Sequence, residues 1–431
     1  MTAATSKTFL VRSEGIFHGL PVLPEDLLCQ RAIVVGASGQ SGQPMIDVLS
    51  SNPQRWEKVY ALSRRPPTTN KTSNVEHVPV DLLWGPDKIS AALSKHQVQA
   101  DYIFYFGYVQ ISRSEESGSE VFGDAEHLAT INAHLFENFL TALDQASVKP
   151  KRIVLQTGGK NYGVHQGHVN VPLREGAPRV ELEPNFYYRQ EDLLAQYIKT
   201  HPGANYNVIM PQWILAAVSG TDMTIFYPLA VYAAIQCKLN KPLVYPGDLT
   251  SWDNNHPIST GLLNGMFYEW LVFSPHTAGE SFNITDGSEF TFGLFWPILA
   301  SWYGLAWLPP REDAHYHETE MPFKPRGYGP RGKLRSSFKF SEWAKETATQ
   351  AAWAELTKDY DLVADPLKDP EKTFAFLQFA LDLTWSWATS TDKARKFGWL
   401  GHCDSIESMR VVFDKFADMK MIPPVPLKKS G

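Results

Sequence analysis

The chain has 431 residues, 43% of them hydrophobic and 20% charged, with a formal net charge of −6. That balance belongs to a folded globular protein, long enough for a large α/β domain plus a smaller attached part, and it excludes a disordered chain. No basic run is present, which excludes nucleic acid as the main partner, because neutralising phosphates needs clustered Lys and Arg. Cys29, Cys237 and Cys403 have neither metal-ligand spacing nor even pairing and read as free thiols of a reducing compartment. The N-terminus lacks the residue order of a signal peptide, and no apolar run approaches the ~20 residues of a membrane span. A soluble, cytoplasmic protein with no membrane partner is expected. The 13 Trp, 24 Phe and 17 Tyr suit a bulky apolar pocket and a large core equally well.

Residues 1–30 are mixed in character and read as an N-terminal arm. Strands are then predicted at Arg31–Val35, Val59–Leu62, Val75–Val80, Tyr102–Phe106, Arg152–Leu155 and Tyr206–Met210, separated by helix-length segments. That alternation predicts an α/β fold, a Rossmann-type doubly wound parallel sheet. Ser112–Gly123 is a loop rich in Ser, Glu and Gly, and Leu128–Leu143 is helical. Residues 31–218 are assigned to the nucleotide-binding domain and 219–431 to a mainly helical C-terminal part that binds substrate, with some return of the chain to the first domain. Within it, His317–Ser337 reads as an exposed loop, and Phe338–Tyr360 and Glu371–Ala388 read as helices.

The first strand runs into Gly36-Ala-Ser38-Gly39-Gln40-Ser41-Gly42 and then a helix. Glycines at this spacing allow a tight turn and close approach of a pyrophosphate to the helix N-terminus. After the second strand, where NAD-binding proteins place a carboxylate, stand Ser63-Arg64-Arg65. Two guanidinium groups and a hydroxyl suit a 2′-phosphate, so NADPH is the expected cofactor. Asp81 and Leu82 are the expected adenine neighbours. Phe106, Gly107, Gln156 and Ile214, at or just beyond later strand ends, complete the expected cofactor contacts.

The Tyr-x-x-x-Lys pair of most short-chain reductases is missing. Tyr187 and Tyr188 open a helical stretch, but the residues four beyond are Glu191 and Asp192, which would raise a Tyr pKa if close. A Lys must come from elsewhere, unless Tyr acts as a neutral donor. Lys160, in Gln156-Thr-Gly-Gly-Lys-Asn-Tyr162 after the fifth strand, is placed to meet Tyr187 across the cleft; a loop lysine is otherwise simply solvated.

The chain resembles the progesterone 5β-reductase/iridoid synthase-like (PRISE) family of extended short-chain reductases. Leu155–Tyr162 (LQTGGKNY) and Asn185–Asp192 (NFYYRQED) carry the resemblance. The glycine loop, Val59–Arg65 (VYALSRR), Val231–Lys238 and Gly398–Gly401 add to it, and it covers roughly Arg31 to Pro423. It implies Lys160 and Tyr187 as the catalytic pair, the latter also at the cofactor. The implied chemistry is NADPH-dependent 1,4-reduction of the C=C bond of a small α,β-unsaturated carbonyl compound, with secondary metabolism as a natural setting. Lys160 would make Tyr187 more acidic. Met210-Pro211, Met223-Thr224 and Pro257–Gly261 depart from the family pattern, so no substrate is carried over. Tyr108, Tyr162, Trp213 and Phe226 fall near motif positions that could line the substrate pocket, and each suits the core as well. Carbonyl reduction, or reductive cyclisation or isomerisation, uses the same scaffold. A non-catalytic NADPH-binding sensor is a third reading, against which the retention of both Lys160 and Tyr187 speaks. A homodimer is compatible with the chain. No metal is expected: His315, His317, Glu318 and Glu320 lack a further ligand at suitable spacing.

Overall fold

The computed structural model describes residues 8–68, 72–110, 124–221 and 223–425. Its centre is a seven-stranded sheet in which every ladder is parallel. In chain order the strands are β1 (Gln30–Val35), β2 (Trp56–Ser63), β3 (Val75–Pro79), β4 (Tyr102–Tyr105), β5 (Arg152–Gln156), β6 (Asn205–Pro211) and β7 (Ser281–Ile284). Their spatial order is β7-β6-β5-β4-β1-β2-β3. The winding reverses between β1 and β4, which opens a crevice beyond the carboxyl ends of those two strands.

Consecutive strand residues face opposite layers, and the two cores divide accordingly. Ala32, Val34, Ala61 and Phe104 pack with Met45 and Leu49 of helix α1 (Gly42–Ser50), and with residues of a helix at Gly261–Phe273. Ile33, Val35, Leu62 and Ile103 pack on the other side, against helices α2 (Pro86–Lys95), α3 (Ala125–Gln145) and α4 (Phe186–Thr200). This is the doubly wound sheet that the strand pattern predicts. Of the Ser112–His127 insertion, Ser112–Gly123 lie outside the described residues; from Asp124, whose side chain caps α3 by accepting from the Glu126 and His127 amides, the chain is helical.

β7 went unread in the sequence because it is only four residues long and carries a polar residue at its centre. Asn283 resolves its burial by bonding in three directions. It accepts from the Tyr162 hydroxyl at 2.7 Å and donates to the Leu173 and Ser390 carbonyls at 3.2 and 3.1 Å. With the helix at Gly261–Phe273, β7 returns the later chain to the sheet layer.

A third core, rich in aromatic residues, forms around a helix at Phe226–Lys238 and the C-terminal helices. Three residues expected near the substrate belong to it. Phe226 is fully buried, Trp213 stacks on Trp387 with ring centroids 4.4 Å apart, and Tyr162 spends its hydroxyl on Asn283. None of the three lines the large cavity described below.

Several local expectations are corrected. The N-terminal arm contains an antiparallel hairpin, Val11–Glu14 with Phe17–Pro21. It is held by paired backbone bonds between His18 and His402, both 2.9 Å, and by burial of Phe17 and Leu20. His317–Ser337 is a second antiparallel hairpin, His317–Glu320 with Lys333–Ser336. Glu318 pairs with Lys333 and Arg335 across the strands and Glu320 with Arg331, so the segment is exposed as expected but its backbone is paired and not a loop. The helix expected at Glu371–Ala388 spans Pro370–Asp382, after which Trp385 turns inward and donates to the Val164 carbonyl at 2.8 Å. Phe338–Tyr360 divides into Phe340–Trp343 and Thr347–Tyr360.

Phe226→Ala is expected to lower unfolding stability by about 3–5 kcal/mol, the usual cost of an emptied aromatic core site. Calorimetry beside steady-state kinetics checks this; an altered KM with unchanged stability would return Phe226 to the substrate pocket.

Candidate active site

The nucleotide end of the site lies in the crevice between β1 and β4. Gly36 follows β1 with φ of +77°, a conformation that favours glycine. A β-carbon there would stand 2.9 Å from the Phe106 carbonyl oxygen, and one on Gly42 would stand 2.1 Å from the Gly36 oxygen. The loop is thus closed on itself and on the chain leaving β4. Ser41 ends it without a side-chain cap on α1, and the first turn carries no acidic residue, which leaves the terminus receptive to an anion. The side-chain nitrogen of Gln40 is buried with no acceptor among the described residues. A cradle that admits no β-carbon, an anion-receptive helix terminus and an orphan donor fit a dinucleotide pyrophosphate.

Ser63 donates its hydroxyl to the Arg65 carbonyl at 2.6 Å, so it shapes the turn in which the arginines stand. Arg64 and Arg65 are exposed, and neither is in an ion pair among the described residues. The Arg65 guanidinium lies against Gly220. Gln43 on α1 accepts from the Thr68 amide at 2.7 Å and so anchors this turn to the glycine-loop helix. Asp81 accepts from the Leu83 amide at 3.0 Å, and Leu82 packs over Gly107 beside Tyr105. Phe106 leans on Tyr268, whose hydroxyl donates to Gln156 at 2.7 Å. Ile214 sits in a short strand, Trp213–Leu215, paired parallel to Ile258–Thr260.

Lys160 and Tyr187 come from different elements. Lys160 is on a 3-10 turn, Gly159–Tyr162, that follows β5; Tyr187 is the second residue of α4. Asn185 joins them. Its side-chain oxygen accepts from the Tyr187 amide at 3.0 Å, and its nitrogen donates to the Lys160 carbonyl at 2.9 Å. An Asn just before an apolar-periodic stretch is a sequence signal for a helix cap, but its second bond crosses to another loop. The Tyr187 hydroxyl reaches the end of β5, 3.4 Å from where a β-carbon on Gly158 would stand. The Tyr187 ring lies against Phe186, with centroids 4.4 Å apart, and Tyr108 packs on Phe186 from the far side at 5.6 Å.

The carboxylates four residues beyond the two tyrosines turn away from Tyr187. Glu191 accepts from Asn161 at 2.7 Å and pairs with Arg179, and Asp192 pairs with the same guanidinium at 2.8 Å. Burial alone pushes the Tyr187 phenol up. Lys160 does not offset that rise, so Tyr187 is a neutral hydroxyl here, contrary to the acidification that the resemblance implies. Burial also brings the Lys160 ammonium down to about 7, opposed by the charge of Glu183.

Lys160 lines a cavity of about 1010 Å³. Phe186, His165, Gln166 and Glu183 share its inner wall, and the 317–336 hairpin and α-helical residues of Pro370–Asp382 form the outer one. His165 and Glu183 meet at 3.0 Å. Burial would raise the Glu183 carboxyl, but the bond from His165 and its charge hold it below the usual range. Neither residue was read from the sequence, where 18 residues without periodicity separate them.

A PRISE-like Rossmann-fold domain model matches residues 32–328. The chain belongs to that family. A short chain dehydrogenase of Penicillium aethiopicum is 28% identical over 91% of this chain and 99% of its own. An (S)-8-oxocitronellyl enol synthase of Nepeta cataria is 26% identical over 91% of this chain and 93% of its own. A 3-oxo-Delta(4,5)-steroid 5-beta-reductase of Arabidopsis thaliana matches to the same extent. Among solved structures, a UDP-glucose 4-epimerase of Thermotoga maritima shares the fold, with a TM-score of 0.54 over 90% of this chain and 99% of its own at 13% identity. This PRISE-family chain is an oxidoreductase of the short-chain dehydrogenase/reductase type. No helix among the described residues is long and apolar enough to cross a membrane.

Because the folded state holds Lys160 near 7 and the unfolded chain near 10.5, the unfolded state binds the extra proton between those values. Stability therefore rises with pH across that window, and below about 7 the full penalty of a buried ammonium is present. Lys160→Met is expected to stabilise the protein by on the order of 3 kcal/mol at pH 6, with the gain shrinking towards pH 10. Denaturant melts of both proteins across pH check this, and a pH-independent difference would refute it.

Proposed function

We propose that this protein is an NADPH-dependent ene-reductase acting on the C=C bond of a small α,β-unsaturated carbonyl compound. The observation that carries the reading is that Asn185 ties the turn of Lys160, just after β5, to the helix start that brings the neutral Tyr187 hydroxyl to the same strand end at Gly158. Relatives named for a 3-oxo-Delta(4,5)-steroid 5-beta-reductase and for an enol synthase support a reaction in which charge develops on a carbonyl oxygen.

The Gly36–Gly42 loop would hold the pyrophosphate of NADPH, and Arg64 and Arg65 its 2′-phosphate. The bound cofactor supplies hydride to the β-carbon. Tyr187 donates a hydrogen bond to the carbonyl oxygen, which strengthens as that oxygen takes on enolate charge. A preorganised donor of this kind acts on the transition state more than on the ground state. A phenol held above its ordinary pKa keeps its proton, so Tyr187 stabilises by donation and need not transfer the proton. Protonation at the α-carbon is left to solvent. Lys160, with Asn185 bridging its carbonyl to the tyrosine helix, fixes the donor in place and adds a cation to the wall when protonated.

Tyr187→Phe is expected to lower kcat for an enone substrate about 100-fold or more while leaving NADPH affinity intact. Following NADPH oxidation against a panel of enones, enals and ketones, with product identification, is the test. Tight NADPH binding without turnover of any member by the wild type would withdraw the reading. Replacing both Arg64 and Arg65 by Ala should weaken NADPH about 10- to 100-fold and leave NADH nearly unchanged, as titration of cofactor fluorescence would show.

A further inference from the structure

The two arginines that follow β2 are not equivalent, and the difference bears on the NADPH reading above, on which this inference rests. The turn that carries them is fixed at both ends. Ser63 donates its hydroxyl to the Arg65 carbonyl at 2.6 Å, and the Thr68 amide and hydroxyl donate to Gln43 of α1 at 2.7 and 3.1 Å. Beyond this shared backbone the two side chains part.

Arg65 has a seat. A β-carbon on Gly220 would stand 2.9 and 3.3 Å from the two terminal nitrogens of Arg65 and 3.5 Å from its guanidinium carbon. The end of the side chain therefore rests against bare backbone, in a place that a side chain at position 220 would claim for itself. Gly220 has φ of +70°, the left-handed region that favours glycine, and it lies between the Trp213–Leu215 strand and the Phe226–Lys238 helix. The support thus reaches the arginine turn from a distant part of the chain. Arg65 is still exposed, so the seat leaves it open to a ligand. Arg64 is exposed too, but among the described residues it has no ion pair, side-chain hydrogen bond or glycine seat. An arginine that is free to move gives up rotamer freedom when it grips a phosphate, whereas one already held gives up less, so the same contact binds more tightly.

We propose that Gly220 is a positioning residue for the choice of cofactor: it seats the Arg65 guanidinium for the 2′-phosphate, so that Arg65 carries more of the preference for NADPH over NADH than Arg64 does.

The test measures dissociation constants for NADPH and NADH by cofactor fluorescence with the full chain. No substrate is needed, so the outcome does not depend on which carbonyl compound is reduced. Arg65→Ala should cut the preference for NADPH about tenfold or more, and Arg64→Ala by under about threefold. Gly220→Ala should cut it about three- to tenfold in the wild type and change it by less than about twofold in the Arg65→Ala background. A loss shared equally by NADPH and NADH, or a Gly220→Ala effect that persists without Arg65, overturns the proposal. Should Gly220→Ala fail to fold, the two arginine variants still decide: a loss in Arg64→Ala as large as that in Arg65→Ala overturns it. A wild type that binds both cofactors alike ends the NADPH reading and this proposal with it, whereas a wild-type preference untouched by Gly220→Ala overturns this proposal alone.

Discussion

A reductase that takes its tyrosine and lysine from one helix receives their spacing from helical geometry. This chain takes them from two elements, a turn after β5 and the first turn of α4, and so needs a joint. Asn185 is that joint. One amide group caps the helix that presents Tyr187 and reaches the carbonyl of Lys160 in the neighbouring turn. The two bonds use opposite ends of the amide, so they cannot both be kept by Asp, which has no donor when ionised, or by Ser, which lacks the second arm. The relative placement of Tyr187 and Lys160 therefore rests on one short side chain, itself at the wall of the cavity.

Around that joint, burial within the protein governs the electrostatics. Tyr187 is pushed towards its neutral form, and Lys160 is brought close to the pH at which it loses its charge. The carboxylates of the NFYYRQED motif are drawn away to Arg179 and Asn161. Glu183 is an acidic group kept near Lys160, and it is engaged by His165. A neutral hydrogen-bond donor with a cation of adjustable charge nearby is suited to stabilising an oxygen that becomes negative during reaction, and poorly suited to removing a proton from a substrate.

Much of this was legible in the sequence, for physical reasons that also mark where legibility stops. Buried parallel strands are continuous β-branched runs, so β1, β2, β4, β5 and β6 announce themselves, and the glycine loop is readable because only glycine fits it. β7 is short and polar at Asn283, and its partners lie more than a hundred residues away. The 317–336 hairpin hides for a similar reason: its Pro, Gly, Lys and Arg content suggests solvent, while the pairing of Glu318 with Lys333 and Arg335 appears only once two strands are placed side by side. Lys160 and Tyr187 were reached through motif resemblance. His165 and Glu183 were not reached, because what distinguishes them is a mutual hydrogen bond, which is a property of positions in space. Tyr162, Trp213 and Phe226, aromatic residues beside motifs, fill a core, one of the two places that their sequence positions allow.

The N-terminal hairpin has a bearing on how the chain is assembled. Its partner is the backbone at His402, and Phe9, just before its first strand, lies against Gly398, so a segment that precedes the sheet in the chain is completed by one that follows it. During synthesis the sheet strands from β1 to β6 can pair in order as they emerge, but the hairpin has no place to dock until the chain has been made as far as His402. A segment made before the sheet thus settles after it, and it fastens the Gly398–Gly401 turn to the face of the sheet that carries the glycine-loop helix.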